Sequence, residues 1–224
     1  MHLLEQFVRL YAPYTCLGCD AEHDQLLCDA CREVLPQVPS RCYRCKATTR
    51  DFAVCDRCRS QTPLRHVYVV AHYDGLAKEL LHRAKYERAK SGLAEIAELM
   101  APLLSAMADD VLLVPVPTAT SRVRQRGYDQ AVVLATNISR LTRFARMRAL
   151  ARLGQAHQVG ANRRQRLEHL SGAFEVVRPS RVRGQRIVLI DDVITTGATL
   201  ETAARTLKKA GARQVDAVVF SQPS

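Results

Sequence analysis

At 224 residues, 47% apolar and 25% charged, with ten Gly and nine Pro, the chain has room for one α/β domain plus a small accessory module, which excludes wholesale disorder. No apolar stretch approaches the ~20 residues that cross a bilayer, and the opening MHLLEQFVRLYAPYTC has no basic start and breaks its apolar residues with Glu5, Gln6 and Arg9, so no membrane insertion and no secretion signal are expected and the chain reads as cytoplasmic. The net charge of +11 is regional, because residues 122–186 hold fifteen basic residues against Asp129, Glu168 and Glu175, a field that attracts polyanions.

All eight cysteines fall early in the chain, as four C-x2-C pairs: Cys16/Cys19, Cys28/Cys31, Cys42/Cys45 and Cys55/Cys58. Such a turn points two thiolates at one place, and two turns complete the tetrahedron of a closed structural zinc site, so two zinc ions are expected. A disulfide framework would need an oxidising compartment, which the opening of the chain does not suggest. Consecutive and interleaved pairing both satisfy the ligand count; consecutive pairing is the expectation. Residues 1–62 then form a zinc-binding module too small to be held by apolar burial alone, and 63–224 a separate α/β domain. Arginines within and around the pairs, Arg41, Arg44, Arg57 and Arg59 among them, suit nucleic-acid contact, but Asp20, Asp24, Asp51 and Asp56 offset them.

Beyond Pro63, HVYVVAHY reads as a strand, Asp74 caps a helix through Arg88, and a second helix covers 92–107. Residues 111–116 are a buried strand that stops at Pro117, with Arg122, Arg124 and Arg126 in the loop behind it. A helix over 129–141, a strand over 147–153 and a polar Arg- and Gln-rich loop over 154–172 follow. Strands at 173–177 and 185–190, a helix over 199–210 closed by Gly211, and a strand at 214–220 complete the chain. This alternation predicts a mostly parallel sheet with helices on both faces.

The segment RIVLIDDVITTGAT carries the chemistry. Its apolar run delivers Asp191 and Asp192 to the carboxyl end of a strand, where open α/β sheets bind ligands. Val193 and Ile194 lead into Thr195, Thr196 and Gly197, a tight turn that opens a helix at Ala198 and Thr199. Amides of such a turn, the helix dipole and the threonine hydroxyls together cradle a phosphate, while the two carboxylates accept hydrogen bonds from vicinal ribose hydroxyls and engage Mg²⁺ indirectly. There is no G-x-x-x-x-G-K-[ST] and no G-x-G-x-x-G after a strand, so an ATPase is not expected.

LIDDVITTGAT resembles the phosphoribosyl pyrophosphate (PRPP) motif of type I phosphoribosyltransferases. Together with the four C-x2-C pairs, LLHRAKYERAK, VPVPTATSRVRQRGYDQA and QVGANRRQRLEHLSGAF, it makes nearly the whole chain resemble the ComF family, competence-associated proteins that join zinc modules to a phosphoribosyltransferase domain. The resemblance implies PRPP binding at residues 191–199, with Mg²⁺, and a pyrophosphate side at Val114–Thr118 and Arg122, Arg124 and Arg126. It also implies a helicase-like partner in DNA uptake. Where the family usually reads RGFNQ this chain has Tyr128 and Asp129, and His169 replaces a usual Asn. A flap of Gln158, Arg163, Arg164 and Arg166, and an acceptor site near Tyr73, His82 and Tyr86, are further expectations. Two functions stay open: a DNA-handling competence protein in which the basic region meets single-stranded DNA, and an active transferase on a small acceptor. Aromatic content of 5% with no Trp leaves few stacking platforms for single strands.

Overall fold

The computed structural model describes residues 14–35, 37–86, 89–105, 107, 110–153 and 173–224. The cysteine-rich segment holds two short antiparallel strands, β1 (Tyr14–Thr15) and β2 (Glu22–His23), and two short helices, α1 (Asp29–Val34) and α2 (Asp56–Arg59). Next come β3 (Val67–His72), α3 (Gly75–Tyr86), α4 (Ala89–Met100), β4 (Val111–Pro115), α5 (Thr120–Arg126), α6 (Gln130–Thr142), β5 (Ala145–Arg146) and β6 (Leu150–Arg152). The chain ends with β7 (Phe174–Val176), α7 (Pro179–Val182), β8 (Arg186–Val193), α8 (Ala198–Lys209) and β9 (Gln214–Gln222).

Five strands pair in the order β3-β9-β8-β4-β5, every pairing parallel. The central strands are nearly continuous apolar runs because both faces are covered. On one face Leu113, Val188, Ile190, Val218 and Phe220 cluster with Leu80 and Leu81 of α3, Ile96 and Met100 of α4, and Leu134 and Ile138 of α6. On the other, Val69, Val114, Ile187, Leu189 and Val219 cluster with Leu200, Ala203 and Leu207 of α8. The expected sheet with helices on both faces is therefore present, and β6 and β7 form a separate antiparallel ribbon.

The cysteine segment is divided between these faces. Cys16, Leu17, Leu27 and Cys28 join the core beneath α3 and α4, whereas Cys42, Tyr43, Val54 and Cys58 join the core beneath α8. Because the helices after β4 lie on one face and the helix after β8 on the other, the connections part between these adjacent strands. That is the switch point at which a crevice opens above the carboxyl ends of an α/β sheet.

Local departures from the sequence reading have identifiable causes. The helix expected over 92–107 turns into a 3₁₀ turn at Ala101–Leu104, since Pro102 has no N–H to continue α-helical bonding. The three arginines expected in a loop sit on α5, which stops at Gly127 in the left-handed conformation, φ 78°. β8 runs three residues further than expected and carries both aspartates within the strand.

Candidate functional site

The eight cysteines gather as consecutive pairs, Cys16, Cys19, Cys28 and Cys31 in one group and Cys42, Cys45, Cys55 and Cys58 in the other, with ligand atoms within 4.8 Å of one another in each. The sulfurs of Cys19 and Cys28 are 3.9 Å apart and those of Cys45 and Cys55 are 3.5 Å apart. Disulfide sulfurs lie at about 2.05 Å, whereas four sulfurs at ~2.3 Å from a tetrahedral zinc lie about 3.8 Å from one another. Amides of Gly18 and Cys28 both donate to Cys16 Sγ at 3.4 Å. Burial opposes ionisation of Cys16, but these amide bonds outweigh it and bring its pKa down to about 6. Donor type, number and spacing fit two closed structural zinc sites.

At the switch point, β8 presents Asp191 and Asp192. Asp191 Oδ1 accepts from the amide of Asp192 at 2.9 Å. Burial, and then the neighbouring Asp192 charge, push the Asp191 carboxyl well above the usual aspartate range. Burial acts in the same direction on Asp192, yet the Lys85 ammonium 2.7 Å from its Oδ2 outweighs it and holds that carboxyl below its ordinary value. The chain then leaves the sheet: Ile194 N donates to Ser221 O at 3.0 Å, and Thr195 and Thr196 are exposed. Gly197, at φ 80°, is the N-cap of α8 and offers it no side-chain cap. Apart from Ala198 N, which donates to Thr196 Oγ1 at 3.4 Å, the first-turn amides of α8 are thereby available to an anion. Gly197 admits no side chain, since a Cβ there would stand 2.6 Å from the Tyr43 ring.

Facing this turn across the crevice is the connection after β4. Val116 N donates to Ile190 O at 3.0 Å, and the amide and hydroxyl of Thr118 donate to Asp129 at 3.2 and 3.0 Å. Asp129 also caps α6 through Ala131 N at 3.1 Å. Between α3 and α5 lies a cleft of about 600 Å³ lined by Tyr73, Lys78, Glu79, Leu81, His82, Lys85, Arg122, Gln125 and Arg126. Arg122 and Arg126 are thus brought beside Lys85, the partner of Asp192, while Arg124 does not line the cleft. Arg126 is hydrogen-bonded to Gln130. Tyr73 and His82 are on the cleft wall; the Tyr86 side chain, His169 and the proposed flap residues Gln158, Arg163, Arg164 and Arg166 lie outside the described residues.

The phosphoribosyl transferase domain family matches residues 82–223. Competence protein ComFC of Bacillus subtilis is 32% identical over 202 residues, which is 84% of this chain and 80% of that protein. The chain belongs to the ComF family. Competence protein F of Haemophilus influenzae is 27% identical over 200 residues, and DNA utilization protein YhgH of Escherichia coli K12 is 28% identical over 204; each comparison covers 84% of this chain and 87% of the relative. The ComF assignment accords with the type I phosphoribosyltransferase-like fold. Two side chains that complete the ComF crevice here, Lys85 and Tyr43, escaped the sequence reading. Lys85 stood in view within LLHRAKYERAK, but nothing local indicates that it meets Asp192.

Proposed function

We propose that this chain binds PRPP with Mg²⁺ in the crevice above β8 and takes part in the handling of incoming single-stranded DNA. The vicinal ribose hydroxyls bond to Asp191 and Asp192, and the 5′-phosphate rests on the turn of Thr195, Thr196, Gly197, Ala198 and Thr199, with Val193 and Ile194 supplying the backbone approach. Pyrophosphate lies toward Arg122 and Arg126, with Arg124 adding to the field from the same helix. Mg²⁺, when bound with PRPP, neutralises the pyrophosphate charge. In this reading residues 1–62 are the zinc-binding module and 63–224 the PRPP-binding domain.

The observation that carries the proposal is the pair of adjacent, largely buried carboxylates beside an uncapped helix N-terminus at the switch point of the sheet. Lys85 pairs with Asp192 at 2.7 Å. Ribose hydroxyls take over that carboxylate as the ammonium turns into the cleft, where the ligand's own negative charge compensates it. The DNA component is supported by the competence and DNA-utilization names of the relatives and by the basic stretch 122–186. A helicase-like partner belongs to the same proposal.

Titration calorimetry with PRPP and Mg²⁺ tests the site: the chain binds, and a folded Asp191→Ala, Asp192→Ala variant does not. Binding that survives both substitutions overturns it. For DNA, retention of labelled single strands is measured against salt; replacing Arg122, Arg124 and Arg126 by Ala lowers the logarithmic salt slope by about 2 if all three neutralise phosphates. An unchanged slope removes these arginines from the DNA contact. The alternative, an active phosphoribosyltransferase on a small acceptor, is favoured by the cleft adjoining Lys85, whose volume lies within the range of small-molecule sites. Release of pyrophosphate from PRPP in the presence of an acceptor distinguishes it.

A further inference from the structure

We infer that Tyr43, in the loop of the second cysteine cluster, is a positioning residue for the turn 195–197, so that the integrity of that metal site governs how well the turn receives a phosphate. The identity of the ligand rests on the PRPP reading above; the geometry does not.

Tyr43 and Arg44 lie between Cys42 and Cys45, inside the loop that supplies two of the four thiols. The Tyr43 ring is buried and presses on Gly197, leaving no room for a Cβ there. Its hydroxyl donates to Glu201 Oε1 at 2.7 Å and shares a hydrogen bond with the Thr62 hydroxyl at 2.7 Å. Arg44 Nη1 reaches the same carboxylate oxygen at 2.6 Å. Glu201 is in the first turn of α8, and its amide donates to Gly197 O at 2.9 Å, so the loop grips the turn from the side and from the helix that follows. The Tyr43 carbonyl accepts from Gln222 Nε2 at 3.0 Å, which ties the same loop to the end of β9, the strand whose Ser221 holds Ile194.

The turn has little internal support of its own, its one side-chain bond being Ala198 N to Thr196 Oγ1 at 3.4 Å among the described residues. A left-handed glycine with weak local bonding takes its geometry from what packs against it. The first cluster is placed differently. Its neighbours Asp20 and Arg32 pair with Arg83 of α3 and with Glu95 and Glu98 of α4, on the opposite face of the sheet. Loss of a ligand at the second cluster therefore releases the phosphate turn, whereas loss at the first releases α3 and α4.

Hydrogen exchange of the unliganded chain tests this, with PRPP calorimetry and zinc analysis alongside. In Tyr43→Ala and Cys45→Ser, amides of 195–201 exchange roughly tenfold faster while β8 and β9 stay protected, and PRPP dissociation constants rise about tenfold. Tyr43→Phe keeps the ring against Gly197 and retains most of the affinity, losing protection chiefly at Glu201. Cys19→Ser loses one zinc and loosens α3 and α4, but leaves exchange of the turn within about twofold. Unchanged exchange of the turn in a folded Tyr43→Ala, or equal loosening by Cys19→Ser, overturns the inference. A turn that loosens as described in a chain that takes up no PRPP upholds the brace and sinks the ligand reading instead. Should Cys45→Ser not fold, the contrast between Tyr43→Ala and Tyr43→Phe decides alone.

Discussion

Two neighbouring carboxylates in one crevice have opposite protonation behaviour, and the difference comes from a single lysine. Asp192 is held below the ordinary value of 3.8 despite burial, so its contribution to stability is present above that value and is lost as the pH falls through its folded value. Asp191 is raised, so its contribution is full below 3.8 and is lost as the pH rises toward its folded value. At neutral pH a charged Asp191 costs stability that a neutral isostere does not. Asp191→Asn keeps the acceptor for the Asp192 amide and removes the buried charge. Its melting temperature is expected to exceed that of the unsubstituted chain by about 2–4 °C at pH 7, the shift that ~1 kcal/mol gives at this size. The gain shrinks toward pH 4 as the Asp191 carboxyl itself takes up its proton, and PRPP binding is lost at either pH. Thermal melts across pH check the first part; a gain that persists at pH 4 rejects it.

Among the elements, α5 and α6 show how a short loop can be set by one side chain. Asp129 accepts from Thr118, in the connection after β4, and from the first amides of α6. Aspartate and asparagine are both strong N-caps, so either residue at position 129 can hold this geometry. Asp129→Ala removes the cap and the Thr118 anchor together, with an expected loss of about 1–2 kcal/mol. Asp129→Asn retains most of the stability. Denaturant unfolding measures both, and equal losses in the two variants would show that the charge, rather than the capping geometry, matters. The arginines of α5 were legible as a basic run but not as a helix, because seven residues with no apolar periodicity carry no helical signature; Gly127 was the signal that could have marked its end.

For the molecule as a whole, the cysteine clusters and the sheet share one core. Each cysteine cluster packs against a different face of one sheet, so the cysteine segment closes the core at two places. Elemental analysis is expected to give two zinc atoms per chain, and a strong chelator to lower the melting temperature by about 10 °C or more, given the binding free energy that structural zinc contributes to folding. Chelation without a change in melting would mean that apolar packing alone holds these segments. The strands, the parallel sheet, the cysteine pairs and the Asp191–Thr199 segment were readable from sequence because each is written in consecutive or periodically spaced residues. Consecutive pairing of the cysteines was an expectation that the folded chain resolved. That Lys85 meets Asp192, and that Tyr43 meets Glu201 across 158 residues, could be decided only by the fold. Periodicity reports which face of an element is buried, whereas the partner on the far side of that face depends on how sheet, helices and metal loops pack together.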